Sequence, residues 1–442
     1  MGSVQLKKGK VNAMKRMVRT SCCLATVAGL AFGAATELRG ATLTLDKVEQ
    51  RYPWNGIVDI DYTITLGEGE TLSPGDDAVE ITVTDQSVEP ARTFVPYALS
   101  KVPLPIEAGT HRFTWDAKTD KVVFKSDSVK VEAKLRHYPA VYMVIDVSEG
   151  STADYFPVDY YDGVPPGDGF NQDEYKGDKI VLRRIRPGSY MAGSPTTEVD
   201  RKTDGREVQH RVTLTKGFYI GVFETTQKQY KNVMGSVPTD SFAGDYRPVG
   251  KMDYDVIRGS GWPTTKPVAS GTFMKVLLDK CKSKDSSGNY TIPVTGFDLP
   301  LEFQWEFACR AGTTTATYTG VDVKTEAALK TEVKKIARYS GNVPTSGYTS
   351  GPNKVGSYQP NDYGLYDMIG NRWEWCRDWY KTSIETEKQY VDPEGPKNQD
   401  SRRCARGSYF GDDVTFQRSA SRTGRANDKH EAFTFRIVCE LP

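Results

Sequence analysis

Histidine is scarce in this sequence, and the motifs of several common enzyme classes are absent. The 442 residues include four histidines, and none belongs to an HExxH motif, so a histidine-based metal site is not expected. No glycine-rich phosphate loop follows a strand-like segment, and no GxSxG stretch occurs. These absences argue against a nucleotide-binding enzyme and an α/β-hydrolase. The histidines are His111, His137, His210 and His430.

Positive charge is concentrated at the amino terminus. Residues 1–20 contain Lys and Arg but no acid, and an uncharged apolar run of about fifteen residues follows, which is typical of a secretory signal peptide. The run is shorter than the roughly 20 residues that a membrane-spanning helix needs. We therefore predict a signal peptide over residues 1–35 and a secreted, periplasmic or cell-surface protein with no stable membrane span after cleavage.

Cleavage of this segment would also change the charge and the cysteine count. Six basic residues would leave, which takes the formal net charge from +1 to −5 and leaves no basic stripe for nucleic acid. In an oxidising compartment, two disulfides and one leftover thiol are expected among the remaining cysteines. These cysteines are Cys281, Cys309, Cys376, Cys404 and Cys439.

Residues 41–150 alternate between apolar and polar side chains. In IVDIDYTITL, Val58, Ile60 and Tyr62 share one face, which indicates antiparallel sheet with one solvated face. Several such strands separated by turns predict a small β-sandwich. Its role is open between a spacer or adhesion module and a sugar- or protein-binding module. Residues 151–177 are rich in Gly, Pro, Asp and Tyr, and we interpret them as a linker.

The remaining residues, 178–442, mix strand-like and helix-like segments. Helices are predicted in TTQKQYKNVMG, in SGTFMKVLLDKCK with Ser270 as a cap, and in PLEFQWEFACRAG with Gly312 as its stop. Glu302 and Glu306 lie one turn apart in the last of these, where capping and surface salt bridges are the simplest interpretation.

The segment GLYDMIGNRWEWCRDWY combines acids, aromatic residues and a glycine turn. Asp367 and Glu374 flank that turn, and carboxylate and carbonyl oxygens from one tight loop are suitable ligands for Ca²⁺. The tryptophans and tyrosines of the segment fit either core packing or the lining of a groove for a sugar or peptide.

Seven segments of the remaining chain are considered together: RRIRPGSYMAGSP, HRVTLTKGFYIGVFETTQKQY, RPVGKMDY, LPLEFQWEFACRAG, NKVGSYQPNDYGLYDMIGNRWEWCRDWY, ARGSYFGDDVTFQRSASRTGR and FTFRIV. In this order they resemble the sulfatase-modifying factor family, whose namesake is the formylglycine-generating enzyme. The resemblance covers residues 178–442 and implies a C-type-lectin-like fold. We therefore predict an α+β protein in which a small all-β sandwich precedes a domain with the formylglycine-generating-enzyme fold.

The resemblance implies a Ca²⁺ site in LYDMIGNRWEW. Its ligands would be the side chains of Asp367 and Glu374 with the backbone carbonyls of Gly370 and Arg372. Arg372 stands where the family usually has Val or Ala, so its guanidinium has to point away from a bound cation. A second family site, upstream in ARYSGNVPTSGYTSGPNK, lacks a clear Asn and Asp pattern and is not expected.

The family's enzymes oxidise a substrate cysteine with O₂ and bind Cu(I) through two cysteines, because thiolates suit this soft ion. In this sequence the two positions fall near Phe410 or Gly411 and at Val414, and no cysteine occurs from Gly407 to Val438. Copper binding and formylglycine-generating chemistry are therefore not expected, and whether the chain is an enzyme at all is uncertain.

The resemblance also suggests disulfides. A cysteine at the position of Cys309 pairs with one on the last strand in related proteins, and Cys439 lies two residues past the matching Ile437. Cys376 and Cys404 could form a second bridge.

We interpret the chain as an exported, noncatalytic module that binds an extracytoplasmic protein, peptide or glycan. One alternative is an oxidoreductase or a divergent enzyme in the same cleft, with Asp412, Asp413 and Arg422 beside Glu374. The other is a binding protein whose C-terminal loop is diversified, as in some lectin-fold relatives. The candidate cleft residues are Arg406, Ser408, Tyr409, Asp412, Arg418 and Arg422.

Overall fold

The computed structural model describes two regions, which we call the N-terminal sandwich (residues 36–137) and the C-terminal domain (residues 141–440). The predicted signal peptide, residues 1–35, lies outside the described residues, as does part of ARYSGNVPTSGYTSGPNK, the segment where a second calcium site is not expected. Within the described part of the chain, no helix is long and apolar enough to cross a bilayer. The described residues are 36–37, 40–72, 77–96, 98–101, 104–120, 122–125, 127–137, 141–284, 290–291, 296–343, 351–384, 390–397, 401–426 and 430–440.

The N-terminal sandwich consists of two antiparallel sheets. One has the order β1-β7-β4-β5 and the other β2-β3-β6. Its strands are β1 (Thr36–Glu37), β2 (Ala41–Gln50), β3 (Ile57–Leu66), β4 (Asp77–Asp85), β5 (Arg92–Phe94), β6 (Gly109–Asp116) and β7 (Val129–His137).

The sandwich follows the alternation in its sequence. Val58, Ile60 and Tyr62 are fully buried on the inner face of β3, while the intervening aspartates are only partly buried. Phe113 and Trp115 of β6 join the same core. Because side chains in a strand alternate between its faces, this pattern predicted both the strands and their orientation.

The C-terminal domain contains the other strands and all the helices that the described residues form. The strands are β8 (Tyr142–Asp146), β9 (Phe156–Tyr161), β10 (Lys179–Ile185), β11 (Gly188–Ala192), β12 (His210–Leu214), β13 (Phe218–Gly221), β14 (Cys281–Lys284), β15 (Tyr290–Thr291), β16 (Phe297–Asp298), β17 (Trp373–Trp379), β18 (Tyr390–Val391), β19 (Arg403–Arg406), β20 (Arg422–Arg425), β21 (Phe433–Thr434) and β22 (Val438–Glu440). The helices are α1 (Glu174–Gly177), α2 (Gln227–Met234), α3 (Tyr254–Arg258), α4 (Phe273–Lys280), α5 (Glu302–Arg310) and α6 (Glu326–Ile336).

Eight strands form the largest sheet of the C-terminal domain, in the order β15-β14-β9-β8-β10-β13-β22-β16. A second sheet, β20-β19-β17-β21, carries the aromatic signature segment. Small strands and short helices dominate, as expected for the predicted α+β class.

Strand pairing places the boundary between the two regions earlier than the sequence analysis did. Residues Val141 to Val147 were assigned to the sandwich, but β8 pairs with β9 and β10 in the large sheet. The predicted linker, residues 151–177, contains β9 and α1. The alternation of β8 shows that it is a strand but gives no information about which sheet it joins.

The predicted helices form with some different ends. Thr226 caps α2 through its hydroxyl, which accepts from the amide of Gln229. The N-cap of α4 is Thr272 rather than Ser270. Helix α5 ends at Arg310, and its C-cap is Ala311, with φ +45°, one residue before Gly312.

Hydrogen bonds join the sandwich to the C-terminal domain. The guanidinium of Arg186 donates to the carbonyl of Asp77, and Arg211 Nη2 donates to the carbonyl of Leu99 at 2.7 Å. These two arginines lie beside β11 and in β12, so the edges of the C-terminal domain contact the loops and strands of the sandwich directly.

Candidate functional site

The signature segment forms a loop that leads into β17. Asp367 and Asn371 have positive φ, +56° and +62°, a conformation that Asp and Asn tolerate better than most residues. Gly370 lies so close to the backbone of Arg338 that a Cβ would come within 2.4 Å of its carbonyl oxygen. The turn therefore requires glycine, and it holds its neighbours in fixed positions.

Glu374 is bound by a guanidinium. Its carboxylate accepts from Arg436 Nη2 at 2.7 Å and from the indole of Trp305 at 2.7 Å. Both Glu374 and Arg436 are fully buried. Arg436 therefore already neutralises one of the two predicted calcium-ligating carboxylates.

Asp367 and Glu224 are the two acidic side chains of this site whose carboxyls are not bound by a guanidinium of the described residues. Asp367 accepts from the amide of Gly356 at 2.6 Å, and Glu224 accepts from the side chain of Asn371 at 2.6 Å. Burial raises the pKa of Asp367 to about 6. Burial, with the nearby charges of Asp367 and Glu374, holds the pKa of Glu224 well above its usual range. Both carboxyls are buried close to Glu374, and Arg436 opposes the rise in pKa at each of them.

Glu224 was missed by the sequence analysis. It follows an apolar strand in GVFETT, and no periodicity marks it, because its partners Asn371 and Arg372 are about 150 residues away in the chain. The feature that could have pointed to Glu224 is its position as an isolated acid next to an apolar strand.

The guanidinium of Arg372 has partners of its own and does not have to face a bound cation. Its guanidinium donates to Asp240 Oδ2 at 2.7 Å and to the carbonyl of Glu431, while its backbone amide donates to Glu224. Arg372 and Asp240 are almost inaccessible to solvent. Among the described residues, no three His, Cys, Asp or Glu side chains form a metal-ligating group. The predicted set needs only two side chains, so this observation does not test it.

The arginines of the predicted cleft are structural. Arg406 Nη2 lies 2.9 Å from Glu306 Oε2, and Arg422 Nη2 lies 2.6 Å from Glu302 Oε2. Arg418 donates to Glu207 at 2.7 Å in the same way. All three guanidiniums are buried, so they do not line an open cleft as predicted.

The same contacts correct the interpretation of Glu302 and Glu306 as surface residues. Both are fully enclosed, because α5 packs against β19 with its acids facing inward. Burial raises the pKa of Glu302, but Arg422 and Arg406 outweigh it and lower that pKa to about 2. An i, i+4 pair of acids in a short helix looks the same in sequence whichever face is buried.

The other three predicted cleft residues differ in exposure. Ser408 is buried and bonds to Gln417 at 2.7 Å. Tyr409 and Asp412 are half-buried, and the amide of Tyr409 donates to Asp412 Oδ2 at 3.2 Å. Burial raises the pKa of Asp412 to about 6.

Aromatic side chains occupy the region where the family's copper-binding thiols are expected. The ring of Phe410 lies 5.2 Å from that of Phe242 and 5.1 Å from that of Tyr409, in edge-to-face contacts. All three rings are half-buried. Val414 is buried in the core. We call Phe242, Tyr409 and Phe410 the aromatic patch.

The groups proposed for a divergent active site have other partners. Asp413 accepts from the amide of Thr415 at the start of a 3₁₀ turn. Arg422 pairs with Glu302, and Glu374 pairs with Arg436.

The structure contains no disulfide among its described residues; the five cysteines there are free and buried. Cys376 and Cys404 are hydrogen-bonded neighbours on β17 and β19. The predicted partners Cys309 and Cys439 lie in different core clusters. The reason is strand orientation: Val438 shares the cluster of Cys309, whereas Cys439 faces the opposite side.

A family model matches most of the C-terminal domain. The chain matches the model of the sulfatase-modifying factor enzyme 1-like domain over residues 170–441. It is 30% identical over 194 residues to the chaperone protein LppX of Paenibacillus barcinonensis, an alignment that covers 38% of this chain and 64% of that protein. It is 32% identical over 152 residues to the formylglycine-generating enzyme of Thermomonospora curvata, covering 33% and 50%.

The alignments thus span 64% and 50% of the length of these two relatives. Among solved structures, the Treponema denticola variable protein 1 is similar at a TM-score of 0.45 and 24% identity, covering 60% of this chain and 96% of that one.

Proposed function

This chain belongs to the family of sulfatase-modifying factor enzyme 1-like domains, and on that premise we propose that it is an exported, noncatalytic binding module. The observation that carries the proposal is the aromatic patch, which stands where the family's enzymes need two thiols. Aromatic rings and a valine cannot ligate Cu(I), which requires soft donors such as thiolates. Without the metal, the oxidation of a substrate cysteine has no site.

The aromatic patch suits a binding role. Half-buried rings offer apolar contact area with little conformational entropy to lose, and they bind peptide side chains and sugar faces well. Asp412 lies beside the patch and supplies a polar group. A protein, peptide or glycan outside the cytoplasm is therefore the expected class of ligand. The signal-like residues 1–35 support the extracytoplasmic part of this proposal.

The decisive experiment compares copper binding and oxidation. Purified protein is titrated with Cu(I) and incubated with a cysteine peptide of the sulfatase type, beside the Thermomonospora curvata formylglycine-generating enzyme as the positive control. We expect no tight copper binding and no aldehyde product. The matched variant F410C/V414C places two thiols in the region, and gain of Cu(I) affinity there would show that only the thiols are missing. Oxidation of the peptide by the unaltered chain would refute the proposal.

We also propose that Ca²⁺ binds the signature loop. The carboxyls of Asp367 and Glu224 have no guanidinium hydrogen-bond partner among the contacts described above, and their raised pKa values reflect burial close to other carboxylates. A divalent cation would supply positive charge there, held by Asp367 with the carbonyls of Gly370 and Arg372, and with Glu224 or Glu374 as the second carboxylate. The direction of the Arg372 side chain leaves that space to the cation.

Calcium binding is tested by the thermal midpoint of unfolding in Ca²⁺ and in EDTA. We expect Ca²⁺ to raise the midpoint of the unaltered protein. Asp367→Asn keeps the positive φ and removes one charge, so it should raise the midpoint in EDTA but abolish the calcium increment. Mg²⁺ is the ion control. An equal midpoint in Ca²⁺ and EDTA for the unaltered protein, with no heat of binding, would contradict the proposed calcium site.

A further inference from the structure

Two adjacent cavities lie at and beside the seam between the N-terminal sandwich and the C-terminal domain: the first is lined by both regions, and the second by the C-terminal domain alone. Their volumes are about 260 and 290 Å³, near the lower end of the roughly 300–1,000 Å³ that is typical of small-molecule sites. They share Arg186, Pro187 and Ser189, so one extended ligand could occupy both. We call them the apolar cavity and the basic cavity.

The apolar cavity is lined mainly by side chains of the sandwich. Leu99, Leu104 and Ile106 are nearly buried there, and Val95, at the edge of the cavity, is 56% exposed. Leu214 of β12 lines the opposite wall. Such a surface offers dispersion contacts and releases water when it is covered by an apolar group.

Several polar groups in the wall of the apolar cavity, which includes Asp77 and Glu80, are already bonded. The hydroxyls of Ser189 and Thr213 bond to each other at 2.7 Å, the hydroxyl of Thr215 donates to Asp392, and Glu80 accepts from Arg136 at 3.3 Å. A peptide backbone would bring one donor and one acceptor per residue that need partners. A hydrocarbon chain makes no such demand, so it fits this cavity better.

The basic cavity carries an excess of positive charge. Arg183, Arg184, Arg186 and Arg310 line it with one carboxylate, Asp362. Arg310 is held by Glu306 at 2.9 Å. Burial raises the pKa of Tyr363, and Arg186 and Arg183 oppose that rise, so both guanidiniums lie near this ring.

Arg183 is the best-placed group for an anion. Its Nη1 donates to the hydroxyl of Tyr142 at 2.6 Å, and its Nε is buried with no hydrogen-bond partner among the described residues. Buried donors are normally paired, because an unpaired one loses the hydrogen bonds that water gave it. Arg183 lines the basic cavity, so a small shift of its side chain would let an acceptor from a ligand satisfy this group.

We propose that the seam binds a single-chain amphiphile with a carboxylate head, such as a fatty acid. The head lies in the basic cavity near Arg183 and Arg186, and the chain extends past Pro187 into the apolar cavity. Charge-assisted hydrogen bonds fix the head, while the apolar walls hold the chain. This site is separate from the aromatic patch, so its failure and the failure of the proposed binding module are distinguishable.

The test is a calorimetric titration of the full-length chain with dodecanoate below its micelle concentration. We expect saturable binding of one molecule. Dodecanol, which lacks the charge, and dodecyltrimethylammonium, which reverses it, should bind at least about tenfold more weakly. The variant Arg183→Gln, which alters the proposed site of the carboxylate head, should also weaken the binding of dodecanoate about tenfold but leave the binding of dodecanol unchanged.

The variant Val95→Asp tests whether the hydrocarbon chain of the ligand lies in the apolar cavity. Because Val95 is largely exposed, the acid should not unfold the sandwich, but it should weaken every dodecyl ligand. Arg112→Gln, a surface arginine on β6, is the matched control and should bind dodecanoate as the unaltered chain does. Equal binding of dodecanol and dodecanoate, unchanged binding by both cavity variants, or displacement of a fluorescent fatty acid by an apolar peptide but not by dodecanoate would each overturn the proposal.

Discussion

The two regions of the chain place their charges differently. In the N-terminal sandwich, Arg112 binds Asp61 through two hydrogen bonds, and 59% of the arginine side chain is exposed. In the C-terminal domain, Arg422 binds Glu302 with the same two-bond geometry, but the side chains are only 3% and 4% exposed. The sandwich is organised around an apolar core, whereas the C-terminal domain has ion pairs inside its core.

This difference shows which features of the sequence specify each region. A sandwich core depends on which residues alternate, and many apolar sets of similar volume would serve. A core with buried ions depends on particular partners, because each charge that loses its partner stays buried without compensation. The loop-rich C-terminal domain has few long elements, and its arginines join distant loops by bonding several carbonyls and carboxylates at once.

The largest expected effect follows from removing one buried guanidinium. Arg422→Met should destabilise the C-terminal domain by about 3–5 kcal/mol, because Glu302 would remain buried beside fewer positive charges. Urea unfolding followed by tryptophan fluorescence measures the loss, and peptide-resolved hydrogen exchange locates it. A loss below about 1 kcal/mol would mean that this pair behaves like a surface pair and would break the comparison.

A somewhat smaller effect is expected from shortening an apolar side chain in the other region. Ile60 is fully buried in the sandwich, and Ile60→Ala should cost about 2–5 kcal/mol because it deletes methyl groups and leaves a cavity. Hydrogen exchange should accelerate in β3 and β6 and remain slow in β17. Equal acceleration in both regions would show that they unfold as one unit.

A third prediction concerns pH. Burial raises the pKa of Asp378 from 3.8 to about 7. Between those values the folded protein retains a proton that the unfolded chain has released, so this carboxyl lowers stability as the pH rises from about 4 to 7. Asp378→Asn removes that dependence. We expect the variant to exceed the unaltered protein by at least about 1 kcal/mol at pH 8 and the difference to shrink towards pH 4.

The hydrogen bond at this position provides the check on that prediction. Asp378 Oδ2 accepts from the amide of Glu302 at 2.6 Å, and the amide oxygen of Asn can accept the same bond. A variant that is less stable at pH 8 and equally affected at pH 4 would show that the bond, rather than the proton, governs this site.

The smallest effect is expected at the surface pair. Arg112→Met should leave the unfolding midpoint within experimental scatter, since exposed ion pairs are screened by water and salt. The same thermal measurement in low and high salt serves as its control. A loss comparable to that of Arg422→Met would remove the distinction between the two regions.

Much of the fold could be predicted from sequence. The alternation in IVDIDYTITL gave the buried face of β3, and the helical segments became α2, α4 and α5. The predicted α+β class with a C-type-lectin-like domain after an all-β region is confirmed by the architecture and by the family match. The sheet that β8 joins could not be predicted, because period-two alternation is the same in either sheet.

Less of the candidate site could be predicted. The family resemblance located the signature loop and the missing thiols, but Arg406, Arg418 and Arg422 were assigned to a cleft although they are buried. Burial of an arginine depends on carboxylates that are distant in sequence: Arg418 and Glu207 are 211 residues apart. The same distance concealed Glu224, whose role follows only from its contacts with Asn371.

The position of β22 in the large sheet has a consequence for the order of folding during synthesis. Val438–Glu440 lies between Phe218–Gly221 and Phe297–Asp298 and hydrogen-bonds to both. The ribosome synthesises β22 some two hundred residues after β13. Until then, the hydrogen-bonding edge of β13 that pairs with β22 is unpaired. We expect the sandwich to form while translation continues, and the C-terminal domain to depend on chaperones until its last strand emerges.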